Sequence, residues 1–159
     1  MKKISIVLCS YNGEAFLSEQ LDSLLRQTYP FYELIVQDDH STDSTPDIVR
    51  DYALRFPERN IRLSVNPERL GYNRNFLSAF CLAEGDYIAC CDQDDIWCDN
   101  KLETLMGAIG DAAMIFHNSM MINNRHEETG LLHTRPLPPY ASSLSTILYP
   151  RAYGHSILF

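Results

Sequence analysis

Three carboxylates, Asp92, Asp94 and Asp95, fall within four residues directly after the apolar run 87–91. Set that close without a cation they repel one another, which raises their pKa values and costs stability. A divalent Mg²⁺ or Mn²⁺ relieves the repulsion, because hard cations take carboxylate oxygens and keep places for water and phosphate. Asp92 and Asp94 are one residue apart, so extended backbone sends both side chains the same way. The plain alternative is a solvated acidic turn capping the next helix. The buried run before the turn, and the polar clusters elsewhere in the chain, weigh against that alternative.

Those other clusters also follow apolar runs. Ser10, Tyr11 and Asn12 follow 4–9, Asp38, Asp39 and His40 follow 34–36, and Asn66 follows 61–65. In open α/β sheets ligands bind beyond the carboxyl ends of the strands, and all four clusters belong to that one edge. Tyr11 has the face to stack on a nucleobase, or it is a core tyrosine at a strand end. Of Asp38 and Asp39, one is placed to cap the following turn, or a carboxylate of the pair accepts a hydrogen bond from a pyrimidine imide N–H. Arg74 is placed to reach a phosphate or a base from the start of a helix, or it is solvated surface.

The elements that must position these residues alternate strictly. Leu17, Leu21, Leu24 and Leu25 recur at helical spacing, as do Ile48, Val49, Tyr52 and Phe56, then Phe76, Leu77 and Phe80, then Leu102, Leu105, Met106 and Ile109. Strands are predicted at 4–9, 34–36, 61–65, 87–91 and 112–116. Thr45 is the expected N-cap of the second helix, with Pro46 in its first turn, and Gly85 the expected C-cap of the third. Strand and helix in alternation define an α/β domain, a three-layer α/β/α sandwich around a mainly parallel sheet. Beyond residue 123 the pattern weakens: 124–139 reads as a loop, 143–149 as a short helix, and 154–159 as the beginning of a further strand that needs a sheet partner. Residues 1–123 are therefore expected to form the binding core and 124–159 the start of a second region, with the chain ending inside it.

Composition narrows the function classes. A net charge of −8 argues against nucleic acid, whose phosphates need Lys and Arg. An acidic site still binds a polyanion when a divalent cation stands between them. Five cysteines, an odd number with no C-x-x-C pair, fit neither a disulfide framework nor a zinc site. They read as reduced, small core residues of a cytoplasmic protein, with a catalytic thiol as the alternative. Lys2 and Lys3 precede an apolar run that lacks a cleavage site, and no run is long enough to span a bilayer.

Taken together the motifs resemble the family 2 glycosyltransferases of the GT-A fold. ISIVLCSYN at 4–12 is similar to the family's first strand and P-T-Y-N loop. ELIVQDDHSTDST at 33–45 matches its E-I-I-V-V-D-D-G-S-x-D-x-T. Asn66 followed by LGYNRN at 70–75 matches N-x-x-x-x-G-x-x-x-A-R-N, and GDYIACCDQDDIW at 85–97 matches the D-x-D region. The CDQDDIW form resembles rhamnosyltransferase-like members. The resemblance implies a nucleotide site of Ser10, Tyr11, Asp39, Asn66, Arg74 and Asp92, and a Mn²⁺ or Mg²⁺ site at Asp94 and Asp92. It implies a UDP- or dTDP-sugar donor, a sugar or lipid-linked saccharide acceptor, and inverting transfer in cell-surface polysaccharide synthesis. It leaves room for peripheral association with the inner face of the membrane and for a homo-oligomer. Cys9 and Ser10 replace the family's proline and threonine. The family's catalytic base is expected beyond Phe159, and Glu127 and Glu128 come too early for it. The alternatives are a non-catalytic nucleotide-sugar-binding module or fragment, and a phosphoryl-transfer domain. The latter lacks the expected lysine and Ser/Thr after later strands, and strand one lacks D-x-D-x-T/V.

Overall fold

The computed structural model describes residues 1–134 and 153–159. The elements run β1 (Ile4–Ser10), α1 (Leu17–Leu25), β2 (Glu33–Asp38), α2 (Thr45–Arg55), β3 (Ile61–Val65), α3 (Tyr72–Phe80), β4 (Tyr87–Asp92), α4 (Lys101–Ile109), β5 (Ile115–Phe116), β6 (Met120–Ile122), β7 (Glu128–Leu131) and β8 (Ile157–Leu158). Six strands form one sheet in the order β3-β2-β1-β4-β8-β5. The first four are parallel, and β8 enters antiparallel to both β4 and β5.

Side-chain alternation along the strands divides the core into two layers. Ile4, Ile6, Leu8, Leu34, Val36, Ala89 and Cys91 face one side, where they meet Leu17, Leu21 and Leu24 of α1, Val49 and Tyr52 of α2, and Leu102, Leu105 and Ile109 of α4. Val7, Ile35 and Cys90 face the other, against Phe76 and Ala79 of α3. Each fully buried aliphatic side chain contributes roughly 1.5–3 kcal/mol. The central strands are apolar on both faces because both faces are covered. The handedness of the crossovers explains where α3 lies: β1 to β3 step one way across the sheet, the path then reverses to β4, and a right-handed connection after a reversal falls on the opposite face.

Several local expectations change. Thr45 is the first residue of α2, and Ser44 precedes it as N-cap; the Thr45 hydroxyl instead accepts the Gly13 N–H. α3 ends at Phe80, with Cys81 as its cap. Gly85 lies in the turn before β4, where its N–H donates to Ser5 Oγ. The strand expected at 112–116 is confined to Ile115–Phe116. Within 124–139, residues Glu128–Leu131 form β7, which pairs antiparallel with β6. The helix expected at 143–149 lies outside the described residues. The apolar run at 154–159 does find a sheet partner, since Leu158 of β8 stands opposite Ala89 of β4. All five cysteines are free; Cys90 and Cys91 are buried, whereas Cys81 and Cys98 are exposed rather than in the core. Among the described residues no helix is long and apolar enough to cross a membrane.

Candidate functional site

Strand register brings the polar clusters together. Ser10 pairs with Asp38 across β1 and β2, Asp38 with Val65 across β2 and β3, and Cys9 with Asp92 across β1 and β4. Four strands therefore end at one level. The path reverses beside β1, and a cleft of about 300 Å³ opens there. Asp92, Gln93 and Asp94, after β4, line one wall, and Tyr11, Asp39 and Arg69 line the other; Cys9 and Ser10 of β1 and Tyr72 and Asn75 of α3 complete the lining.

The adjacent pair Asp38 and Asp39 divides its work. Asp38 is fully buried and fastens the turn: its carboxylate accepts from Ser10 Oγ at 2.9 Å, from Ser41 N at 2.8 Å and from Ser41 Oγ at 2.5 Å. Asp39 lines the cleft while only 4% exposed. Its Oδ1 accepts from Leu70 N at 2.6 Å and Asn66 Nδ2 at 3.0 Å, and its Oδ2 accepts from Gly71 N at 2.9 Å. Burial alone pushes the Asp39 carboxyl up, but these donors and the Arg69 charge outweigh it and hold the group below its ordinary value. Gly71 has φ +82°, a conformation that glycine adopts freely, and so turns its N–H onto Asp39. Asn66 does not line the cleft. It is buried, bonded to Gln37, Asp39 and Asn75, and acts by holding Asp39.

Tyr11 stands at the cleft with the Arg69 guanidinium 4.0 Å from its ring centroid. A planar ligand stacked on Tyr11 takes the other face or displaces Arg69. Arg74 is exposed and lies outside the cleft lining. Tyr72 and Asn75 are three residues apart and share the helix face that meets the cleft, so Arg74, two residues from Tyr72, lies on the far side. The cation at the cleft is Arg69. Its signal in the sequence was its position in the loop that follows Asn66, on the strand-end edge.

On the opposite wall, Asp92 and Asp94 both reach the cleft. Three donor atoms, one each from Asp92, Asp95 and His155, lie within 4.8 Å of one another, and Asp94 is not among them. His155 Nδ1 is 3.6 Å from Asp92 Oδ2, an ion-pair distance, and its Nε2 is 3.0 Å from Ser119 Oγ. Asp92 chiefly raises the His155 pKa. Burial raises that of Asp95, whose Oδ2 is enclosed without a hydrogen-bond partner. Two carboxylates and an imidazole this close together can serve as ligands for a divalent cation such as Mn²⁺. Lys101 Nζ donates to the His155 carbonyl at 2.9 Å and lies 3.5 Å from the Trp97 ring centroid; burial pulls its pKa down to about 8. His155 was beyond sequence reasoning, because only the pairing of β8 with β4 delivers it here. Cys9 also borders the cleft, but burial and then the Asp92 charge push its thiol far above the usual range, which disfavours the thiolate that a nucleophile needs.

An α/β sheet with this cleft at its switch point has the GT-A architecture. Across 99% of the chain it superposes, with a TM-score of 0.74 and 22% identity, on 44% of a mannosyltransferase from Pyrobaculum calidifontis solved with GDP-Man and Mn²⁺. Across 86% it superposes, with a TM-score of 0.64 and 27% identity, on 38% of S. aureus TarS 1-349 solved with UDP. Residues 5–156 match the model of glycosyl transferase family 2, and the chain belongs to that family. Over 123 residues it is 37% identical to the Escherichia coli UDP-Glc:alpha-D-GlcNAc-diphosphoundecaprenol beta-1,3-glucosyltransferase, covering 76% of this chain and 47% of that enzyme. Over 96 residues it is 45% identical to the poly(ribitol-phosphate) beta-glucosyltransferase of Bacillus spizizenii, covering 58% of this chain and 15% of that enzyme. The chain thus spans less than half the length of these relatives.

Proposed function

We propose that this chain is the donor-binding part of an inverting glycosyltransferase that takes a UDP- or dTDP-sugar with Mn²⁺ or Mg²⁺ and serves cell-surface polysaccharide synthesis. The observation that carries the reading is the pairing, across one cleft, of the Tyr11–Asp39 wall with the Asp92–Asp94 wall. Tyr11 offers an aromatic face to the base, and Asp39 offers it a hydrogen-bond acceptor.

Counting lone pairs favours a pyrimidine. Asp39 Oδ1 already accepts two hydrogen bonds and Oδ2 one, so a carboxylate with about four acceptor positions keeps one. Uracil and thymine present a single imide N–H, which that position satisfies. Guanine presents two neighbouring donors and would leave one unmatched, a costly outcome in a desolvated site. UDP in S. aureus TarS and the UDP-Glc of the Escherichia coli relative agree with this choice.

Asp92 and Asp94, which both line the cleft, would hold the cation together with Asp95 and His155. When bound, the metal supplies positive charge against the departing diphosphate. The chain's own residues do the rest. Asn66 and the Leu70 and Gly71 amides keep Asp39 ionised and fixed, Arg69 adds positive charge beside the base wall, and Ser10 and Asp38 fasten the turn between them. The acceptor, a sugar or lipid-linked saccharide, is assigned to the part of the sequence that begins at residue 124.

Titration calorimetry with a UDP-sugar tests the reading. Asp39→Asn should weaken binding by roughly tenfold or more, since an amide offers a donor where the base also has a donor. Equal affinity for wild type and Asp39→Asn would refute the role given to that wall.

A further inference from the structure

Gln93, the residue between Asp92 and Asp94, occupies a position that the site as described leaves unexplained. The β1–β4 ladder ends at the pair Cys9 and Asp92. Beyond it the main chains part, and the Tyr11 peptide groups have no strand to pair with. The Gln93 side chain takes the place of that strand. Its Oε1 accepts the Tyr11 N–H at 2.9 Å, and its Nε2 donates to the Tyr11 carbonyl at 3.2 Å. A primary amide carries a donor and an acceptor in one plane, as a peptide group does, so it continues the ladder by one step while the backbone at 93–95 turns away.

Gly13 shows how closely this contact is built. A Cβ at residue 13 would lie 2.3 Å from Gln93 Oε1 and 2.6 Å from its Cδ. Gly13 does not have a positive φ, so the need for glycine here is one of space for the glutamine amide. Its N–H is also fixed, on Thr45 Oγ1 at 2.8 Å. Two loops from distant parts of the chain therefore meet through one side chain, and each carries one wall of the cleft.

We infer that Gln93 is a positioning residue that couples the base wall to the metal wall. It sets the height of the Tyr11 ring relative to the Asp92 and Asp94 carboxylates, so that a nucleoside diphosphate engages both ends at once. The inference rests on the nucleotide reading above and names the element that joins its two halves. Because Gln93 lies between Asp92 and Asp94 and is tied to the Tyr11 backbone, losing it should be felt at both ends of the cleft. Losing a residue of either wall should be felt at one end.

The test separates the ends with two probes: uridine in EDTA for the base wall, and pyrophosphate with Mg²⁺ for the metal wall. Each is titrated by calorimetry into wild type, Gln93→Met, Tyr11→Ala and Asp94→Ala. Methionine keeps the length and bulk of glutamine and removes both hydrogen bonds, so a space-filling role would survive it. Gln93→Met should lose roughly tenfold in affinity for each probe, the effect of two modest hydrogen bonds. Tyr11→Ala should lose only uridine, and Asp94→Ala only magnesium pyrophosphate. The Tyr11 amide should also exchange its hydrogen faster in Gln93→Met, with the amides of β1 and β4 unchanged. Should Gln93→Met fail to fold, Gly13→Ala displaces the same amide and should give the same double loss. Unchanged affinities, or a loss at one end only, would overturn the coupling while leaving the nucleotide reading intact. Wild type that binds neither probe would overturn both.

Discussion

Asp39 and Asp95 are two partly or wholly buried carboxylates with opposite surroundings. Asp39 is met by the Leu70, Gly71 and Asn66 donors and keeps its charge readily. Its folded pKa lies below the ordinary 3.8, so the stability it contributes is fully present above about pH 3.8. That contribution is lost as the pH falls through the lower folded value. Between pH 5 and 2 the melting temperature should therefore fall more steeply with acid for wild type than for Asp39→Asn, and identical slopes would mean that the Asp39 hydrogen bonds are not made. Asp95 has burial against its charge and an enclosed oxygen without a partner. Asp95→Asn should raise the melting temperature in EDTA by about 1–3 °C and abolish most of the shift that Mn²⁺ gives. A variant that melts lower in EDTA would show that the carboxylate already has a partner. The family resemblance pointed to Asp39 rather than Asp38 at the ligand, but the local residue pattern alone did not separate the two. Only the fold decides it, because neighbouring side chains leave a strand end in opposite directions and Ser10 and Ser41 claim one of them.

Among the elements, the start of α3 matters most to the site. The helix begins immediately after Gly71, whose φ of +82° and ψ of 160° lie in a region that is almost closed to other residues. A Cβ at residue 71 would meet nothing within 4 Å, so the cost of Gly71→Ala lies in the backbone alone, about 1–3 kcal/mol. The variant should melt about 3–10 °C lower and also lose nucleotide affinity, since the Gly71 N–H holds Asp39. A stable variant with full affinity would show that the strained turn is dispensable. This start also sets the phase of the helix. The third apolar stripe was legible at Phe76, but the phase that turns Tyr72 and Asn75 toward the cleft and Arg74 away depends on where the first turn begins. The four parallel strands were legible because each is an apolar run followed by a polar cluster. β8 was legible only as a run that needed a partner. Its place between β4 and β5, and with it the approach of His155 to Asp92 and Asp95, is a tertiary pairing that no local pattern carries.

Over the whole molecule, an acidic chain of net charge −8 has a cleft whose far wall is carboxylate, and it is read as binding a polyanion. Charge opposes that binding unless a cation intervenes, so metal dependence and base preference together are the signature of the account. The most direct measurement is thermal melting with UDP, dTDP and GDP, each in Mn²⁺ and in EDTA. A ligand that binds only the folded state at about 100 times its Kd stabilises by roughly 2.7 kcal/mol, which for a chain of this size is roughly 5–10 °C. The account predicts that shift for UDP or dTDP with Mn²⁺, a much smaller one for GDP, none in EDTA, and none in Asp94→Ala. An equal shift with GDP would contradict the reading of Asp39, and an equal shift in EDTA would contradict a donor site built around a metal.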